Sequence, residues 1–200
     1  MDWRDAVGAI AVAISLAAML PYLLSTWRGV TRPHIFSWGI WGVFNLIGGL
    51  AQVADGGGPG AWVNIAGAVT CWLGALLGYI RGGSRDITRS DKYAAASALL
   101  GIVPWVVTKD PLWSVIIITF IDMLAFYPSF RKGWYKPHED MPLVFAASAI
   151  KHALGLAALT NFTVTTVLFS ASLVLTNTVY VMMLLYRRRQ LGVMPPAHGS

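Results

Sequence analysis

The chain reads as an all-α, polytopic membrane protein. The expected layout is seven transmembrane helices: two parallel three-helix repeats joined by a linker helix. Three observations lead there. First, 56% of the 200 residues are apolar and only 12% are charged, about half the charge of a soluble domain. Second, the charges cluster between long apolar runs. Third, a sixteen-residue stretch occurs twice, as MLPYLLSTWRGVTRPH at 19–34 and MLAFYPSFRKGWYKPH at 123–138. Six positions are identical without a gap: Met19/Met123, Leu20/Leu124, Ser25/Ser129, Gly29/Gly133, Pro33/Pro137 and His34/His138. Arg28/Lys132 and Arg32/Lys136 keep a cation, and Tyr22/Phe126 keep a ring.

A helix needs about 20 mostly apolar residues to cross a bilayer. The runs that qualify lie near 6–27, 35–54, 61–80, 93–108, 111–130, 141–160 and 163–186. Each is bounded by turn or charge signals: RGVTRPH, DGGGPG, RGGSRDITRSDK, TKD, RKGWYKPHED and TNF. Glycine and proline end helices, and charge stays out of hydrocarbon. The shortest break, Lys109-Asp110-Pro111, combines both devices. The N-terminus, MDWRD, makes a poor signal peptide because its acids offset Arg4, so span one is expected to be retained. The chain then divides into 1–81 (first repeat), 82–110 (linker with span four), 111–186 (second repeat) and 187–200 (basic tail).

Orientation follows from Lys and Arg. The loops after spans one, three and five, with the tail, hold twelve: Arg28, Arg32, Arg81, Arg85, Arg89, Lys92, Arg131, Lys132, Lys136, Arg187, Arg188 and Arg189. The opposite side holds Arg4 and Lys109. The positive-inside rule puts the N-terminus outside and the C-terminus in the cytoplasm of a plasma or inner membrane. It also accounts for the net charge of +6 without nucleic acid. Trp3, Trp27, Trp105, Trp113 and Trp134 fall near span ends, where amphipathic rings favour the interface. Spans one and five carry the repeat, so both copies cross in the same direction. Span four has no charge or amide in its core and no partner in the other half, which suits a linker.

Polar residues recur at one depth. At about 1.5 Å per residue, Asn45, Thr70, Cys71, Asp122, Lys151, His152 and Asn177 all lie roughly 12–15 Å from the cytoplasmic span ends. A charge at that depth costs about 3 kcal/mol facing lipid, so it faces the interior. Asp122 is the natural partner for Lys151. Three roles stay open for them: a fixed ion pair, proton coupling with His152, or direct contact with a solute. Trp38, Trp41 and Asn45 share one face of span two by spacing. A ring beside an amide suits a polar solute with a flat side, and packing beside Gly39 and Gly42 is the competing role. Phe145 and His152 share a face of span six. Asn177 lies on span seven in line with Ser170 and Tyr180, and Trp72 on span three is a further candidate. Pro21 and Pro128 are hinge candidates, or fixed kinks that aid packing.

The three-plus-one-plus-three layout, the parallel repeat, the outside N-terminus and Pro21 before a short basic loop resemble the SWEET and PQ-loop superfamily across nearly all of 6–186. Nicotinamide riboside transporters have a similar layout. The superfamily's Pro-Gln pair falls at Pro21-Tyr22, so the glutamine is absent, and Tyr127-Pro128 stands in the second half. Members carry sugars, amino acids and related small solutes. The resemblance implies alternating access around a midplane site, with Asn177 and Trp41 or Trp38 in the pocket and Thr70, Cys71 or Asn64 in the matching first-half position.

The expected function is transport of a small polar solute, with sugar favoured and riboside, vitamin-precursor or amino-acid carriage as alternatives. A non-transport receptor or subunit is the other class. An enzyme is not expected: there is no nucleophile–base pair, and GGGPG lacks the lysine of a phosphate loop. Span seven has no lysine for a retinal Schiff base. No metal ligand set or cofactor is implied. The partners are the solute and the bilayer, with self-association left open.

Overall fold

A computed structural model describes residues 2–29, 35–82, 89, 96, 103, 106–135, 137–138 and 142–192. Span four, positions 30–34 of the first repeat copy, Trp105, Arg85, Lys92, Lys136 and the end of the tail fall largely or wholly outside them. The described chain is helical, without strands: α1 (Trp3–Trp27), α2 (Ile35–Ala54), a 3-10 turn (Gly58–Ala61), α3 (Trp62–Ile80), α4 (Leu112–Tyr135), α5 (Pro142–Ala157) and α6 (Val164–Leu191). Four of these units, with the 3-10 turn counted into α3, are long and apolar enough to cross a membrane: α1, Gly58–Ile80, α4 and α6. In α2 the apolar run is diluted by Asn45, Gln52 and four glycines. The sixth expected span, 141–160, yields only the 16 residues of α5.

The helix ends follow local chemistry. Asp2 and Asp5 form a capping box at the start of α1, and Thr163 and Thr166 form one at the start of α6, satisfying amides that have no intrahelical partner. Gly56 and Gly58 take φ of +72° and +60° in the turn after α2, a conformation that excludes most side chains. At the short break before α4, Lys109 takes φ of 59° and Asp110 Oδ1 accepts from Leu112 N at 2.9 Å. Past the expected end of span seven, α6 continues through Arg187–Arg189. Arg187 Nε donates to Trp134 O and Arg188 Nε to Pro137 O, both at 2.9 Å. The cations also complement the negative helix terminus. These residues are therefore a last helical turn rather than the start of a loose tail.

The six helices close into a ring of neighbours: α1 packs on α3, α3 on α2, α2 on α4, α4 on α6, α6 on α5, and α5 on α1. The outer face is apolar. Leu16, Leu20 and Leu24 of α1, Leu73 and Leu76 of α3, Phe120 and Leu124 of α4, and Leu175 and Met182 of α6 are all exposed. Inside lie Ser15, Gln52, Asn64, Asp122, His152, Ser170 and Asn177. That polarity is the inverse of a soluble domain and suits a hydrocarbon solvent. Trp3, Trp27, Trp113 and Trp134 are exposed at helix ends, and Arg4, Arg81 and Arg187 lie over Trp3, Trp27 and Trp134 at 4.7, 4.2 and 4.6 Å.

The two ends of the bundle differ. At the end holding Trp3, Trp62 and Val164, the 3-10 turn wedges between α1, α2 and α5. Arg4 Nε reaches Leu159 O at 3.1 Å, Thr160 Oγ1 donates to Gly56 O at 2.6 Å, and Asn161 Nδ2 to Asp55 O at 2.8 Å. The Thr163 hydroxyl meets the Asp55 carboxylate. Below this seal, Phe44, Ile47, Ala51, Val115, Ile118, Phe169 and Leu173 form one apolar core between α2, α4 and α6.

Close backbone approach at the seal depends on glycine. A Cβ on Gly60 would lie 2.6 Å from Gly155 O, whereas one on Gly39 would meet nothing within 4 Å. Overpacking of this kind costs about 1–3 kcal/mol. Gly60→Ala is expected to lower the detergent melting temperature by roughly 2–12 °C, with Gly39→Ala as the near-neutral control.

Candidate functional site

Two polar constellations occupy the interior. The upper one joins the two halves just below the seal. Gln52 Nε2 donates to Thr166 O at 2.5 Å and Ser170 Oγ at 3.2 Å. Asn64 Nδ2 donates to Gln52 Oε1 at 2.8 Å and Ser170 Oγ at 3.0 Å. All four side chains are buried. From the sequence, Gln52, Asn64 and Ser170 look like parts of separate helix faces, with Asn64 a pocket candidate; in the structure they knit α2, α3 and α6 together.

The lower constellation surrounds a cavity of about 230 Å³, near the small end of ligand pockets, which start at roughly 300 Å³. Every helix contributes. Ser15 and Met19 come from α1, Trp38, Trp41 and Asn45 from α2, and Gly67, Thr70 and Cys71 from α3. Asp122, Phe126 and Ser129 come from α4, Phe145, Ser148, Lys151 and His152 from α5, and Leu173 and Asn177 from α6. The lining runs from mid-helix toward the end that carries Arg81 and Arg187, away from the seal.

Of the expected solute-site residues, Trp38, Trp41, Asn45, Phe145, His152, Asn177, Asp122 and Lys151 line this one space. Trp72 does not. Its Nε1 donates to Gly39 O at 3.3 Å, and its indole fills the place a side chain on Gly42 would take. That ring is α2–α3 packing, made possible by Gly42. Pro21 lies within α1 and Pro128 within α4, and Pro21 does not line the cavity.

The expected Asp122–Lys151 ion pair is not formed. Among the described residues the ion pair present is Arg4–Asp2 at the surface. Lys151 Nζ donates to Ser15 Oγ at 3.1 Å, because α5 packs against α1. Asp122 belongs to α4, and α6 stands between α4 and α5 in the ring. Asp122 Oδ2 is buried with no hydrogen-bond partner, as are Asn45 Oδ1 and His152 Nδ1.

The two cavity amides behave alike. Asn45 Nδ2 bonds Trp41 O at 2.9 Å, and Asn177 Nδ2 bonds Leu173 O at 2.7 Å. One N–H of each amide is thus held by the carbonyl four residues back, and the Asn45 oxygen has no donor. Gly67 leaves room for that oxygen, since a Cβ there would lie 2.5 Å from it. The cavity lining thus combines amides, hydroxyls and indoles with one carboxyl, Asp122, and one amine, Lys151.

Rings close the lower walls. Tyr180 is fully buried, donates to Ser129 O at 3.1 Å, and sits edge-on to Phe145 and Phe130 at 4.6 and 5.1 Å. On α1 and α2, Tyr22 lies tilted against Trp38 at 4.8 Å, and Trp38 meets Trp41 edge-on at 5.8 Å. Sequence reasoning missed Ser15, Gly67 and Phe126. Ser15 carried a signal: Gly8, Ala11 and Ser15 form a small-residue stripe at helical spacing. Among the described residues no group of three His, Cys, Asp or Glu converges as a metal site would require.

Compared with family models, curated proteins and solved structures, the chain finds no match.

The two charges share one cavity but form no direct bond, so Asp122→Asn and Lys151→Met should couple by less than the roughly 1.5 kcal/mol of a charged hydrogen bond. Unfolding of the singles and the double in detergent measures this. A coupling of about 1.5 kcal/mol or more, the size expected of a charged hydrogen bond, would restore the direct pair.

Proposed function

We propose that this chain is a membrane carrier for a small polar solute. It works by alternating access, with seven spans in two parallel three-helix repeats, the N-terminus outside and the C-terminus in the cytoplasm. The single observation that carries the reading is the cavity. It draws polar or aromatic side chains from all six described helices, and one end of the bundle is sealed above it. The neighbour relations support the repeat. Exchanging α1 with α4, α2 with α5 and α3 with α6 turns the ring of contacts into itself. The two asparagine–carbonyl bonds, one in each half, follow the same pattern.

A carrier of this kind has its site where the halves meet, and rocking of the halves alternates the open side. The described state is the one with the seal closed on the Trp3 side. Opening that side requires breaking the Gln52–Asn64–Ser170 bonds and parting the Asp55–Thr163 contact. Trp38, Trp41 and Phe145 offer flat apolar surface, and Asn45 and Asn177 offer oriented amides. Among small polar solutes, sugar is the class favoured by the resemblance to SWEET proteins, with ribosides, vitamin precursors and amino acids as the alternatives. A carrier role is preferred to a receptor or subunit because the contacts between helices follow a twofold repeat around the cavity, the arrangement that alternating access uses.

The test is a melting-temperature screen of purified protein against sugars, nucleosides and amino acids, followed by uptake into vesicles containing the protein. A ligand at a hundredfold excess over Kd stabilises by about 2.7 kcal/mol, a rise of roughly 5–10 °C for a chain of this size. Trp41→Ala and Asn177→Ala are expected to abolish the rise and the uptake, while Trp72→Phe keeps both. Binding without uptake would move the assignment to a receptor.

A further inference from the structure

The cavity contains both members of an ion pair but not the pair. Asp122 is 4% exposed, and its Oδ2 has no partner. Lys151 reaches only a neutral hydroxyl, Ser15 Oγ at 3.1 Å. The two lie on helices separated by α6, and both line the same space. A buried charge needs an opposite charge or a full set of hydrogen bonds. Each of these lacks the first, and Asp122 lacks part of the second.

We propose that the cavity takes a small zwitterion, with its ammonium on Asp122 and its carboxylate on Lys151. This rests on the carrier reading and names the solute class of that site. An ammonium would meet the Asp122 carboxylate where that residue lines the cavity. A carboxylate accepts from the Lys151 ammonium and the Ser15 hydroxyl together. The Trp41 and Phe145 rings line the remaining wall, where an apolar side chain packs. A neutral polyol would bond to both charged groups and neutralise neither. A zwitterion neutralises both.

Cys71 supplies a built-in readout. It is the chain's single cysteine and lines the cavity. The experiment measures alkylation of Cys71 by a small maleimide in the full purified chain. The additions are each L-amino acid in turn, the decarboxylated amine and the N-acetyl derivative of any that protects, and glucose.

At least one amino acid is expected to slow labelling tenfold or more. Its amine and its N-acetyl form should bind at least tenfold more weakly, as loss of a charge-assisted bond requires. Asp122→Asn should reduce the zwitterion to the level of its N-acetyl form, and Lys151→Met to the level of its amine. Protection by glucose and by no amino acid overturns the zwitterion and leaves the carrier reading standing. Equal protection by the amine or the N-acetyl form also overturns it. Labelling that none of these compounds slows overturns the inference and the carrier reading together. If either variant fails to fold, the comparison of amine, N-acetyl form and zwitterion on the unaltered chain decides alone. If Cys71 is inert, the same ligands are ranked by melting temperature.

Discussion

The hydrogen-bonded junction of Gln52, Asn64, Ser170 and Thr166 is the constraint on which the rest of the structure hangs. All four are fully buried and none lines the cavity, so their polar groups must find partners within the protein. A lone amide in such surroundings costs several kcal/mol. Sharing bonds across α2, α3 and α6 removes most of that cost and sets the angle at which the first three helices meet the last three. The apolar core beneath it, with Phe169 seated over Gly48, could form at more than one rotation of the helices. The amide bonds select one.

The junction also separates two kinds of buried polarity. At it, Gln52 Nε2, Asn64 Nδ2 and Ser170 Oγ are bonded, while Asn64 Oδ1 is not. Below it, Asp122, Asn45 and His152, which line the cavity, each carry a buried atom without a partner. The order of the helices decides which polar groups meet. Lys151 illustrates this. Its stem follows the α1–α5 contact to Ser15, leaving the Asp122 carboxylate to face the cavity from the other side.

Much of the site was legible from spacing alone. Trp38, Trp41 and Asn45 fall i, i+3, i+7 on one helix face, and Phe145 and His152 repeat that interval on another. Depth counting brought Asp122, Lys151 and Asn177 to the same level, because rise per residue is fixed by backbone hydrogen bonding. Trp72 shows the limit. Its chemistry matched the others, but the space left by Gly42 admits its ring between two helices. A sequence lists the glycine and the ring without saying that they face each other.

By itself, the sequence determined an all-helical chain with several segments apolar enough for a membrane, most of the break points, and the set of polar side chains that must face inward. Hydrophobic transfer and backbone bonding act locally, so a single strand of letters carries them. Only the tertiary structure decided which inward-facing groups meet. The order of helices around the ring put Lys151 beside Ser15 and away from Asp122, made Asn64 a structural tie rather than a pocket residue, and carried α6 on through Arg187–Arg189 to reach the carbonyls of Trp134 and Pro137. Those outcomes depend on distances between residues more than fifty positions apart in the chain, which packing sets and spacing along one helix does not encode.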